Sequence, residues 1–178
     1  MAINPTEPVV KPASHAPGLA GGKFLTFFLA DEEYGLEILK VHEIIGMLPV
    51  TRVPRTPAFI RGVINLRGKI IPVVDLRQRF GMPAAEQTNE TCIIVVQARG
   101  AQMGIVVDRV SEVLDVAAQD IEPAPQFGGD VRTDYILGIG KAQGRVELLL
   151  DIDKVLSHQE VAAAQSAANA SNVQNAAE

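Results

Sequence analysis

FIRGVINLRGKIIPVVDLRQRF, residues Phe59 to Phe80, sets two apolar runs on either side of a short polar turn, Asn65-Leu66-Arg67-Gly68. Val63 and Ile64 lead into the turn, Gly68 supplies the positive φ that a tight hairpin turn needs, and Ile70 to Val74 form a β-branched return. The stretch reads as a β-hairpin with an arginine at its tip. Pro72 interrupts the return run and predicts an edge strand or a bulge, because proline donates no ladder hydrogen bond.

Outward from this hairpin the chain repeats itself. Gly35 to Ile44 (GLEILKVHEI) matches Gly104 to Val113 (GIVVDRVSEV) at an offset of 104 − 35 = 69, which Pro54 and Pro123 share. After a longer loop, Phe59-Ile60-Arg61-Gly62 aligns with Tyr135-Ile136-Leu137-Gly138 at 138 − 62 = 76. There Gly68 falls on Gly144, Lys69 on Arg145, Val73 and Val74 on Leu149 and Leu150, and Asp75 on Asp151. Repetition at fixed offsets, with residue type retained, predicts two similar subdomains. Each copy holds about five short β runs and is too small to bury much alone. The expected fold is all-β, mainly β with short helices, as two small barrels or rolled sheets packed on a shared core.

The expected division is a flexible arm at 1–22 rich in Pro, Ala and Gly, an ordered domain at 23–160, and a flexible or helical tail at 161–178. Within the domain, the halves run from about 23 to 90 and from about 91 to 156. Asp120 to Asp134, with two prolines and Gly128-Gly129, reads as a loop. Val41, Ile44 and Ile45 fit a helical turn or a bent strand equally well. The copies differ at the hairpin tip, where Asn65-Leu66-Arg67 faces Lys141-Ala142-Gln143. An apolar residue beside a planar guanidinium is a combination enriched at interfaces.

Of the 178 residues, 47% are hydrophobic and the formal net charge is −5, which fits a globular chain and argues against a general nucleic-acid binder. Neither a signal peptide nor a run near the roughly 20 apolar residues of a membrane span is present, so a cytoplasmic protein is expected. The single cysteine, Cys92, lies in an apolar run and reads as a structural thiol. His15, His42 and His158 are scattered and form no metal or catalytic spacing. Asp151 and Asp153 could hold Mg²⁺, but the matching Asp75 before Leu76 favours a helix cap. Gly138 to Gly144 is spaced GxGxxxG and runs into apolar residues, where a phosphate loop requires a helix; it reads as a hairpin turn. No cofactor or metal is expected. Asp108-Arg109 fits an internal ion pair or a surface pair, the latter contributing little. Arg52, Arg55, Arg61, Arg67, Lys69, Arg77 and Arg79 crowd into the first copy, as a solvated face or as a docking surface for an acidic or mixed partner.

From Lys23 to about Gln159 the chain resembles the CheW family, the scaffold proteins of bacterial chemotaxis. The stretches that carry the resemblance are DEEYGLEILKVHEI, TPAFIRGVINLRGKIIPVVDLR, GIVVDRVSEVL and YILGIGKAQGRVELLLDIDKVL. It implies two five-stranded barrels and a non-catalytic adaptor between transmembrane chemoreceptors and the histidine kinase CheA. Its partners would be the kinase's regulatory domain and the cytoplasmic tips of methyl-accepting receptors, with recruitment to membrane arrays and no insertion into the bilayer. By motif, Glu43, Ile44, Arg67, Gly104 and Val113 would face receptor or array, and Val41, Val50 and Gly62 the kinase. The same scaffold serving another two-component pathway, in surface motility or second-messenger control, is the alternative.

Overall fold

The computed structural model describes residues 21–124 and 134–176. The expected N-terminal arm lies outside these residues except for Gly21 and Gly22. Eleven strands are described: β1 (Gly22–Leu29), β2 (Glu32–Glu37), β3 (Val41–Gly46), β4 (Ile60–Leu66), β5 (Lys69–Asp75), β6 (Cys92–Ala98), β7 (Ala101–Val107), β8 (Arg109–Val116), β9 (Ile121–Glu122), β10 (Ile136–Ala142) and β11 (Arg145–Leu150). Helices α1 (Leu76–Arg79), α2 (Ile152–Val155) and α3 (His158–Ala176) complete the fold. Val41 to Ile45 are strand. The expected loop after Asp120 is shorter than its composition suggested, because β9 lies inside it; residues 125–133 are outside those described.

Local chemistry accounts for the hairpins. Arg67 (φ 52°) and Gly68 (φ 88°) form a two-residue turn between the paired Leu66 and Lys69. Positive φ at both central positions gives a twist that matches the strands. Gln143 and Gly144 repeat this turn in the second copy, between Ala142 and Arg145. Asp75 caps α1 by accepting from the Gln78 amide, and Asp151 caps α2 by accepting from that of Asp153.

Two sheets form, ordered β3-β6-β7-β5-β4 and β8-β1-β2-β11-β10-β9. Each closes on itself in the same manner. Thr51, beyond edge strand β3, exchanges two 2.9 Å backbone hydrogen bonds with Val63 of β4 at the opposite edge. Similarly β9, beyond β8, pairs with β10. The division near residue 90 does not separate the sheets. Hairpin β1-β2 joins the later strands by a parallel pairing of β2 with β11, and hairpin β6-β7 joins the earlier ones by a parallel pairing of β7 with β5. The two copies have exchanged their opening hairpins.

Burial explains the exchange. In β6, Ile93 and Val95 point into the first barrel beside Ile64, Ile71, Val73 and Val106. Their neighbours Ile94 and Val96 enter the core shared with Leu25, Phe27, Leu36 and Leu150. A strand apolar on both faces must lie between two layers. A run of stacked rings, Phe27–Tyr34–Phe80–Tyr135, with centroids 5.8, 5.7 and 5.0 Å apart, crosses the shared core.

The edge position expected for Pro72 is corrected, since β5 is an inner strand between β7 and β4, but the register of β4 and β5 does shift beside it, between Ile60 and Gly62. The partner of Pro72, Val63, directs its N–H and C=O away from β5 to Thr51, which makes Val63–Pro72 a pair without cross-strand hydrogen bonds. On the other side the ladder to β7 begins only at Val73. The missing donor therefore costs no hydrogen bond to β4, and it stands at the end of the ladder to β7.

Candidate protein-interaction surface

Edge strand β3 and the β4–β5 turn meet at the seam of the first barrel, where Arg67 grips Glu43. Nη1 donates to Oε1 at 2.7 Å and Nη2 to Oε2 at 2.6 Å. The guanidinium remains 70% exposed on its side chain and the carboxylate 28%, so the fork is locked yet open to a partner. The Arg67 hydrogen bonds hold the Glu43 carboxyl below its ordinary range, and Glu43 raises Arg67 in turn. Both stay charged through the neutral range. Beside Glu43, Ile44 is 45% exposed, and its repeat equivalent Val113 on β8 is 50% exposed.

Of the remaining predicted residues, Gly62 and Gly104 are buried, and Val41 and Val50 are half-buried. Gly104 is buried on β7, where an added Cβ would stand 2.7 Å from Ile93 Cγ2. Gly62 is buried with φ +147°, and its Cβ would fall 2.2 Å from the Thr51 carbonyl oxygen, inside the bridge that closes the barrel. Val41 packs against the shared core and Val50 against that of the first barrel. Three of the eight, Ile44, Arg67 and Val113, are thus exposed, and Glu43 is half-buried beneath the Arg67 guanidinium. Two exposed apolar residues escaped sequence reasoning: Leu39, 93% exposed between β2 and β3, and Val146, 62% exposed. Val146 was legible in principle, because the repeat aligns it with Ile70 on the outward face of the same hairpin.

Most of the basic crowd is engaged internally. Arg77 donates to both Asp108 oxygens, at 2.8 and 2.5 Å, and this holds the Asp108 carboxyl below its usual range. Arg79 reaches Glu160 and the Val155 carbonyl, and Lys69 donates to Gln102. Arg61 lies 3.7 Å from Asp75, while Arg52 and Arg55 have no ion-pair partner among the described residues. An Asp108–Arg109 pair does not form, because the Asp108 carboxylate, at the bend between β7 and β8, is taken by Arg77 and by the Ala30 amide. Arg109 instead lies 3.8 Å over the Phe28 ring.

Nothing catalytic is assembled among the described residues. His42 contacts Gln97 and His158 contacts Arg99. Asp153 is engaged by Lys40 and the Arg99 amide. Burial pushes the Cys92 thiol up, against nucleophilic use. No cluster of metal-ligating side chains occurs among the described residues, and no helix there is long and apolar enough to cross a membrane. Fold and surface together define a scaffold: two closed, interlocked sheets that display an ion-paired fork and apolar side chains.

Comparison with known proteins places that scaffold. Residues 23–160 match the CheW-like domain. The chain is 46% identical over 142 residues to the chemotaxis protein CheW of Klebsiella aerogenes, covering 80% of this chain and 86% of the relative. With the chemotaxis protein CheW of Rhizobium meliloti the identity is 39% over 144 residues, covering 81% and 93%. The crystal structure of the scaffolding protein TtCheW from Thermoanaerobacter tengcongensis superposes with a TM-score of 0.72 at 37% identity, over 79% of this chain and 95% of that one. The chain belongs to the CheW-like family, a family of chemotaxis scaffolds rather than enzymes.

Proposed function

We propose that this chain is a cytoplasmic adaptor that couples chemoreceptors to the histidine kinase CheA, and is recruited to membrane-bound receptor arrays without entering the bilayer. The observation that carries the reading is the asymmetry of the two copies. Both keep an acid on the equivalent strand, Glu43 and Glu112. Only the first sets an arginine on the hairpin tip to meet it; in the second, Glu112 is met by Arg145, on the return strand. A nearly symmetric scaffold thereby gains one distinctive face.

On this reading Glu43, Ile44, Arg67 and Val113 contact receptor or array, and Gly104 supports that face through the strand it packs. The kinase is met on the side of Val41, Val50 and Gly62, where Gly62 acts by holding the Thr51 bridge. A planar guanidinium held by a carboxylate is suited to a mixed polar and apolar partner.

The test is reconstitution of receptor-containing membranes, kinase and ATP, with and without the chain. Receptor-controlled autophosphorylation is expected only with it; equal phosphorylation in both would end the adaptor reading. Arg67→Ala is expected to keep the parent melting temperature, since exposed ion pairs contribute little to stability, while coupling is lost. A large fall in melting temperature would show that Arg67 holds the fold instead.

A further inference from the structure

The two barrels are not equally apolar inside. Around the first, Ile71, Ile93 and Val95 are fully buried, with Ile71 1% exposed and the other two 0%. At the offsets of 76 and 69, their counterparts in the second barrel are Glu147, Phe24 and Thr26. Thr26 is satisfied, donating from Oγ1 to the Glu112 carbonyl at 2.9 Å. Glu147 is 0% exposed, and neither carboxyl oxygen has a hydrogen-bond partner among the described residues. The aliphatic first barrel shows that the fold does not require an acid here.

A second acid adjoins it. The parallel register sets Tyr34 beside Leu148 and Gly35 beside Leu149. One residue earlier, Glu33 and Glu147 therefore stand side by side on one face. Glu33 is 6% exposed and also carries an unpartnered oxygen, Oε1. Arg145 on β11 lies across the group, with Nη1 3.3 Å from Glu33 Oε2 and Nη2 donating to Glu112 Oε1 at 2.7 Å. The charged groups that face Glu147 are thus Glu33 from β2, Glu112 from β8 and Arg145 from its own strand. β10 offers it Gly140, directly opposite.

We propose that Glu147, with Glu33 and Arg145, forms a buried proton-binding site, and that its ionisation loosens the end of the second barrel and the β8 edge carrying Val113. While Glu147 is neutral, Arg145 serves Glu33 and Glu112. Once it ionises, a third carboxylate competes for the same guanidinium, and a buried charge is left without a donor. Glu112 directly precedes Val113, so movement of Arg145 reaches that edge.

The electrostatics agree with the geometry. Burial, then the neighbouring Glu33, push the Glu147 carboxyl up to about 7 from the ordinary 4.5, against the opposing pull of Arg145. The folded chain therefore binds this proton more tightly than the unfolded chain. Its stabilising contribution is complete below pH 4.5 and is lost as the pH rises through about 7.

The test uses the full chain and its Glu147→Leu and Glu147→Gln variants, without kinase or receptor, so its outcome is independent of the adaptor reading. Melting temperature is measured from pH 5 to 9, and side-chain carboxyl resonances are followed by carbon NMR. The parent is expected to lose about 5–10 °C relative to Glu147→Leu between pH 5 and pH 8. A glutamate resonance should titrate near neutrality and vanish in Glu147→Gln, with the Glu112 and Val113 amides following the same midpoint only in the parent. Parallel melting profiles, or the absence of any carboxyl titrating near neutrality, would overturn the proposal.

Discussion

Arg67 lies at a turn position with φ 52° and holds Glu43 from the far edge of the same sheet. The sequence marked Arg67 by its place on a hairpin, and the family resemblance marked Glu43. The sequence did not join them, because residues 24 positions apart meet only once the barrel closes through Thr51 and Val63. Gly62 and Gly104 show the converse. Motif resemblance marked them as interface residues, yet both are buried at points where a methyl group has no room. Gly104→Ala would press on the Ile93 side chain, and is expected to cost about 1–3 kcal/mol. Gly62→Ala meets backbone oxygen at a φ that side chains rarely adopt, and should cost about 3 kcal/mol or more. Denaturant unfolding checks both; an unchanged midpoint for Gly62→Ala would restore it as a contact residue.

Among the elements, α3 is the least legible in the sequence and packs in an unexpected place. Its small residues suggested little to bury, but Val161, Ala164, Ala167 and Ala168 are each buried, and the helix lies on β5 and β4 of the first barrel. Small side chains allow this because they let the helix backbone approach the sheet closely, and Arg79 fixes its start through Glu160. The CheW-like match ends at residue 160, so most of α3 lies beyond it. Ala164, 0% exposed, has no space for a larger residue. Ala164→Leu is expected to cost about 1–3 kcal/mol and to remove amide-exchange protection from α3 while β6 keeps its own. Equal loss in both elements would show that α3 is integral to the core. The hairpins, in contrast, were readable, since turn glycines and β-branched runs act locally.

At the scale of the molecule, the exchanged hairpins make each half dependent on the other. A fragment of residues 23–90 retains β3, β4 and β5 but lacks β6 and β7, which lie between β3 and β5 in the completed sheet. Its β1 and β2 likewise lose β8 and β11 on either side. Fragments 23–90 and 91–160 are each expected to be unfolded alone and to regain β structure when mixed, by circular dichroism and amide dispersion in NMR. A well-dispersed spectrum from either fragment alone would show that a half can close its own barrel. What the sequence determined by itself is therefore the repeat, the strands and their turns, helix caps at Asp75 and at Asp151 or Asp153, and a first copy distinguished by Arg67, because each rests on near-neighbour backbone chemistry or on residue identity. Only the tertiary structure decided which sheet each hairpin joined, which arginines found acids, and that Glu147 would be enclosed without a partner. The repeats offer similar aliphatic faces and backbone ladders indifferent to side chain, so both pairings satisfy the same local pattern, and the choice appears only when two barrels bury their hairpins between them.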